Sequence, residues 1–209
     1  MSANPSLIPP GSSALDEETA RAELYGLLSQ LYYASPGPEV LSALRVAVTE
    51  APAEGGFLQE PWQQLVASAR ALSDADIARE FDRLFGGVGK PEVYLFGSHY
   101  LSGFLNEKPL ARLRADLDRL GLARDEAMPE TEDHIAYLCE VMRYLIAGDD
   151  VGVCNLSSQR EFFSTHVQPW VLRLCEALAT HRNAHFYACL AGLTQAFVSV
   201  ETQGFDMLD

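Results

Sequence analysis

Apolar residues recur at helical spacing through almost the whole of this 209-residue chain, and nowhere do they alternate convincingly as a strand would require. Ala20, Leu24, Leu27, Leu28 and Leu31 share one face of a first helix that must stop before Pro36-Gly37-Pro38. Val40, Leu41, Leu44 and Val48 give a second helix over about Pro38 to Thr49. Pro61 opens a third, with Trp62, Leu65, Val66 and Ala69 inward. Ser73 or Asp74 caps a fourth, whose stripe is Ile77, Phe81, Leu84 and Phe85. A short helix runs through Leu101 and Leu105, with Ser98 as its expected cap. Pro109 starts a helix of Leu110, Leu113, Leu117 and Leu120, ended by Gly121. Thr131 or Glu132 opens the next, through Ile135, Leu138, Met142 and Leu145 to Gly148. Ser158 and Glu161 stand at capping-box spacing before Phe162, Val167, Trp170, Leu174 and Leu178, and Pro169 should bend or divide that helix. A last helix, about Ala184 to Thr202, is apolar nearly all round and crosses the core.

The fold class is therefore all-α, a single-domain bundle of about eight to ten helices. Residues 1–14 hold Pro5, Pro9, Pro10 and Gly11 and read as a flexible arm. The helical domain covers 15–203, with a tail at 204–209.

Composition narrows the function. Asp plus Glu number 29 against 15 Lys plus Arg, a formal net charge of -14. Such a field repels a nucleic-acid backbone and draws in a basic partner. Cys139, Cys154, Cys175 and Cys189 form no CxxC pair, so free thiols are expected rather than a zinc site or disulfide framework. The first twenty residues contain neither Lys nor Arg and no long apolar run. A secretory signal and a membrane span are not expected, and the expected location is the cytoplasm.

Catalytic constellations fail on inspection. The Gly86-Gly87-Val88-Gly89-Lys90-Pro91 break has Leu84 and Pro91 where a phosphate-binding loop needs glycine and a hydroxyl. Gly97-Ser98-His99 lacks the setting of a nucleophile elbow. His181 and His185 straddle an inter-helix turn, and His166 reads as structural, hydrogen-bonded at a helix bend. No catalytic residue and no metal ligand is assigned, and the chain is expected not to be an enzyme. Two places remain: the glycine break through Tyr100, and Pro129-Glu130-Thr131-Glu132-Asp133-His134. Helix capping accounts for most of the latter. It does not account for His134, which a hydrogen bond to the neighbouring Asp133 would hold as a fixed donor for a ligand.

At these residues the sequence resembles the TorD/DmsD family of redox-enzyme maturation chaperones, relatives of the NarJ type. The family motif is Glu-Pro-x-Asp-His at the head of an apolar helix; Glu130, Asp133 and His134 match, and Thr131 replaces the proline. Phe81-Asp82-Arg83-Leu84-Phe85 with its following loop, and Phe162-Phe163 through Trp170, resemble further family segments. Gly97-Ser98-His99-Tyr100 stands where the family has a Glu-Ser-Val-Tyr-like stretch, without the acid. The likeness covers about Leu15 to Val200.

The resemblance implies a cytoplasmic TorD-like chaperone, monomer or domain-swapped dimer, that binds the twin-arginine leader or core of a molybdopterin enzyme precursor. It holds the precursor for cofactor insertion before export, and formate dehydrogenase is one candidate client. Asp133, His134 and Glu130 carry over as peptide-binding residues, with Tyr94, Gly97, Ser98 and Tyr100 beside them. Two alternatives stay open: a nucleotide-binding helical switch taking GTP on the Gly86–Lys90 loop, and a general helical adaptor.

Overall fold

The computed structural model describes residues 12–49, 58–86, 90–105, 107–125 and 128–207. Among them ten α-helices follow one another: α1 Ser12–Tyr33, α2 Pro38–Val46, α3 Gln59–Ala71, α4 Asp74–Phe85, α5 Gly97–Ser102, α6 Lys108–Arg119, α7 Ile135–Ala147, α8 Leu156–Phe162, α9 Gln168–Ala179 and α10 Phe186–Asp206. No strand occurs among the described residues; two segments cross in an isolated antiparallel bridge, Phe96 with His134. The all-α expectation holds. The first helix starts at Ser12, and the last continues past 203 to Asp206. Residues 1–11 and 208–209 lie outside the described residues.

Helix α1 packs along α7, while α10 packs against α9, α3 and α4. The core is filled by Tyr25, Leu28 and Tyr32 of α1, Met142 of α7, Trp170 and Leu174 of α9, and Phe186, Leu190 and Phe197 of α10. Burial differs from the sequence pattern at the ends of the early helices. Ala20 is exposed, and Tyr25 and Tyr32 turn inward. Helix α2 stops at Val46, leaving Val48 78% exposed.

Several caps also differ. Ser73 caps α4 in a capping box with Asp76, as its position suggests. Asn155, rather than the Ser158–Glu161 pair, caps α8 by accepting from the Ser158 N–H at 3.0 Å. Helix α5 begins after Phe96, so Ser98 is inside it, and Leu105 falls beyond its end. At the end of α6, Gly121 takes φ +69°, the left-handed conformation that ends a helix without a Cβ clash. The Leu122 N–H then reaches the Leu117 carbonyl at 2.9 Å.

Pro169 does divide the late helix. A π-helical turn, Phe163–Val167, separates α8 from α9, where proline's missing N–H would break the regular ladder. His166 within this turn is held by Asp116 of α6, Nε2 to Oδ2 at 2.7 Å.

Two buried acids tie distant helices together. Glu201 receives Arg21 (2.7 and 2.9 Å) and the Tyr25 hydroxyl (3.0 Å), joining α10 to α1. Glu80 of α4 accepts the backbone N–H groups of His185, Phe186 and Tyr187 at 2.8, 3.2 and 2.8 Å. It thereby caps α10 from another element, satisfying donors the helix cannot satisfy itself. All four cysteines are free thiols, Cys139 and Cys175 fully buried.

Candidate functional site

The segment entering α5 and the turn entering α7 cross, and the nominated residues meet there. The Gly97 N–H donates to the Asp133 carbonyl (2.9 Å), and the Ile135 N–H donates to the Leu95 carbonyl (2.9 Å). Space is tight at Gly97, where a Cβ would lie 3.0 Å from Nε1 of Trp170. That indole donates to the His166 carbonyl at 2.7 Å, so the ring is pinned.

The carboxylate of Asp133 is fully engaged. Oδ2 accepts the Ser98 N–H at 2.8 Å and Oδ1 the Thr131 hydroxyl at 2.6 Å. With 4% exposure, Asp133 caps α5 in trans and fastens the turn rather than facing solvent. Thr131, where the family has proline, supplies a hydrogen bond to the same turn. Glu132 is engaged too. Arg114 binds its Oε2 at 2.9 and 3.0 Å, and Arg124 lies 3.8 Å from Oε1. These cations lower its pKa against the opposing effect of burial.

His134 is not held by Asp133, and helix α7 does not open at Thr131 or Glu132. His134 is itself the N-cap, its Nδ1 accepting from the Ala136 N–H at 3.2 Å. This arrangement puts the ring proton on Nε2, which has no partner among the described residues. The ring is 4% exposed, and its burial lowers the pKa to about 4, with only a weaker opposing pull from Asp133. A neutral histidine removes the conflict with the helix dipole.

His134 lines a groove of about 350 Å³ with Glu130, Tyr33, Phe85, Tyr94 and Phe96. Phe96 meets the His134 ring edge-on at 5.0 Å, and Tyr33 approaches it at 6.5 Å. Phe81 and Phe85 of α4 stack edge-on to each other at 5.1 Å and complete the wall. The carboxylate of Glu130 has no ion-pair partner among the described residues. An aromatic trough with one free carboxylate and one N–H donor can take a cation followed by an apolar chain.

The nominated residues therefore divide. Tyr94, Glu130 and His134 share the trough; Gly97, Ser98 and Asp133 form the crossing behind it. Tyr100 joins neither. Its ring stacks on Trp170 at 5.5 Å and its hydroxyl donates to the Tyr94 carbonyl at 2.9 Å. Tyr94 in turn stacks on His99 at 4.0 Å. Sequence reasoning missed Tyr33, at the end of α1. It assigned Phe81 and Phe85 wholly to the core; their position before the glycine break was the available signal.

The remaining candidates resolve simply. His181 and His185 lie between α9 and α10, and His181 pairs with Glu92 at 3.3 Å. In the Gly86–Lys90 loop, residues 87–89 lie outside the described residues. Among the described residues no group of His, Cys, Asp and Glu could hold a metal, and no helix is long and apolar enough to cross a membrane.

Comparison with known proteins places these features in a family. A family model described as nitrate reductase delta subunit matches residues 53–176, more than half of the chain. The chain is 24% identical over 204 residues to a chaperone protein TorD of Vibrio cholerae, covering 90% of this chain and 93% of the relative. A chaperone protein TorD of Shewanella loihica is 26% identical over 207 residues, covering 88% and 92%.

Proposed function

The chain belongs to the nitrate reductase delta subunit family, and from that premise we propose that it is a non-enzymatic chaperone for the maturation of a redox enzyme. Its client is the precursor of a molybdopterin oxidoreductase, with formate dehydrogenase one candidate, held in the cytoplasm until cofactor insertion. The chaperone binds the twin-arginine leader, which is basic and then apolar. One observation carries this reading: the aromatic trough beside Glu130 and His134, in a chain of net charge -14.

The proposed division of labour follows from which groups are free. Glu130 pairs with a leader arginine, and the His134 Nε2 proton donates to a backbone carbonyl of the bound segment. Tyr33, Phe81, Phe85, Tyr94 and Phe96 cover its apolar part. Asp133, Gly97 and Ser98 set the trough's back wall without touching the ligand.

Co-purification with identification of the captured partner tests the client; a molybdopterin enzyme should dominate. A synthetic leader peptide titrated by calorimetry tests the site. Affinity unchanged in Phe85→Ala combined with Glu130→Gln would remove the trough as the binding surface. Capture of many unrelated proteins would favour a general adaptor instead.

A further inference from the structure

On the other side of the crossing lies a second groove, of about 370 Å³, between α5, α6 and the π-helical turn. Its walls are apolar: Leu101, Leu113, Pro169 and Trp170. Its rim is cationic, with Lys108 and Arg112 one helical turn apart on α6. Arg112 is 71% exposed, and its nearest carboxylate, Asp116, is 4.0 Å away. Lys108 has no ion-pair partner among the described residues. Asp133 also borders this groove, but each of its carboxylate oxygens already accepts a hydrogen bond, from the Ser98 N–H and the Thr131 hydroxyl. Beneath it Ser98 keeps a buried hydroxyl with no hydrogen-bond partner.

This placement runs against the charge of the whole. Helix α6 carries Lys108, Arg112, Arg114 and Arg119 against Asp116 and Asp118, a local excess of cations in a strongly acidic protein. Arg114 and Arg119 are held closely by Glu132 and Asp116, whereas over the groove Arg112 reaches Asp116 only at 4.0 Å and Lys108 has no ion-pair partner among the described residues. Beside the rim, Leu101 and Phe104 stand out into solvent, Phe104 70% exposed. Apolar walls, exposed apolar flanks and two exposed cations, Lys108 unpaired among the described residues and Arg112 paired only at 4.0 Å, make a surface complementary to negative charge on an apolar chain.

We infer that this groove is a second docking site, which takes an acidic, apolar stretch of polypeptide. It is separate from the trough that faces Glu130 and does not depend on the leader reading. The protein thus grips two segments of opposite charge, one on each side of the crossing.

The test uses the full chain and a labelled, capped peptide of alternating leucine and glutamate, read by fluorescence anisotropy. A leucine–lysine counterpart serves as the opposite probe. The acidic peptide is expected to bind, to weaken with added salt, and to lose about tenfold in affinity in Lys108→Glu combined with Arg112→Glu. That variant should leave the circular dichroism spectrum unchanged, since both side chains are at the surface, and should not weaken the binding of the lysine peptide. Amide shifts on titrating the unaltered protein should centre on Leu101 and Leu113. Acidic-peptide binding indifferent to the charge reversal, or shifts centred on His134, would overturn the inference. So would dimerisation that the charge reversal abolishes, because the occupant would then be a second copy of the chain.

Discussion

Two grooves share one wall, and they differ in what their polar groups still have to offer. In the trough, Glu130 and the Nε2 proton of His134 are without partners among the described residues, and the walls are aromatic. In the groove behind, the acid is engaged and the rim is cationic, with Lys108 unpaired among the described residues and Arg112 no nearer than 4.0 Å to Asp116. Adjacent residues, Asp133 and His134, thus face opposite tasks. Asp133 holds two segments together; His134 borders the ligand space. Adjacency in a motif does not imply a shared role.

The comparison can be broken most severely at Asp133. Asp133→Ala should cost on the order of 3 kcal/mol, because the buried Ser98 N–H and Thr131 hydroxyl lose a charged acceptor. Urea denaturation measures it, and loss of leader binding should track unfolding rather than precede it. Asp133→Ala at unaltered stability with leader binding gone would assign Asp133 to the ligand instead.

Next is the pH response of His134. Its folded pKa, about 4, lies below the ordinary histidine value of about 6.5. The unfolded chain therefore binds the proton first as pH falls. The stability contribution is complete above about pH 6.5 and is lost progressively down to about pH 4. At roughly 1.4 kcal/mol for each pH unit between those values, the loss is on the order of 3 kcal/mol at most. His134→Asn keeps an N-cap acceptor and should flatten the stability profile in that window. An identical profile in the variant would place the proton uptake elsewhere.

A smaller effect is expected where the two grooves share backbone. Gly97→Ala puts a Cβ 3.0 Å from the pinned Trp170 indole and should cost about 1–3 kcal/mol by overpacking. Thermal unfolding checks this, and an unchanged midpoint would mean that the indole moves freely. The smallest effect on stability belongs to Glu130→Gln, below about 0.5 kcal/mol at an unpaired carboxylate. Leader affinity should nevertheless drop by about fivefold and become less salt-sensitive, as isothermal titration would show.

Much of the fold was legible before any coordinates. The 3.6-residue period placed α3, α4, α6 and α7, and Pro169 marked the point where the late helix divides. Gly121 stopped α6 as its lack of a Cβ allows. The turn at 130–134 stood out through its match to a family motif, and three of its neighbours in the trough or crossing were nominated with it. The boundary of α7 was misplaced, because Thr131 and Glu132 have the composition of caps while their side chains serve Asp133 and Arg114.

Sequence by itself determined the helical class, the acidity and the position of the motif, since these depend on local periodicity, side-chain propensity and charge count. Only the tertiary structure decided which acids remain free. Glu80, Glu132, Asp133 and Glu201 are all engaged by donors far away along the chain or across a turn, whereas Glu130 is not. A carboxylate's availability depends on which donors the fold brings within about 3 Å, and that distance has no local signature. Tertiary structure likewise sent Asp133 and His134 to different grooves, because the α7 cap turns the chain between them.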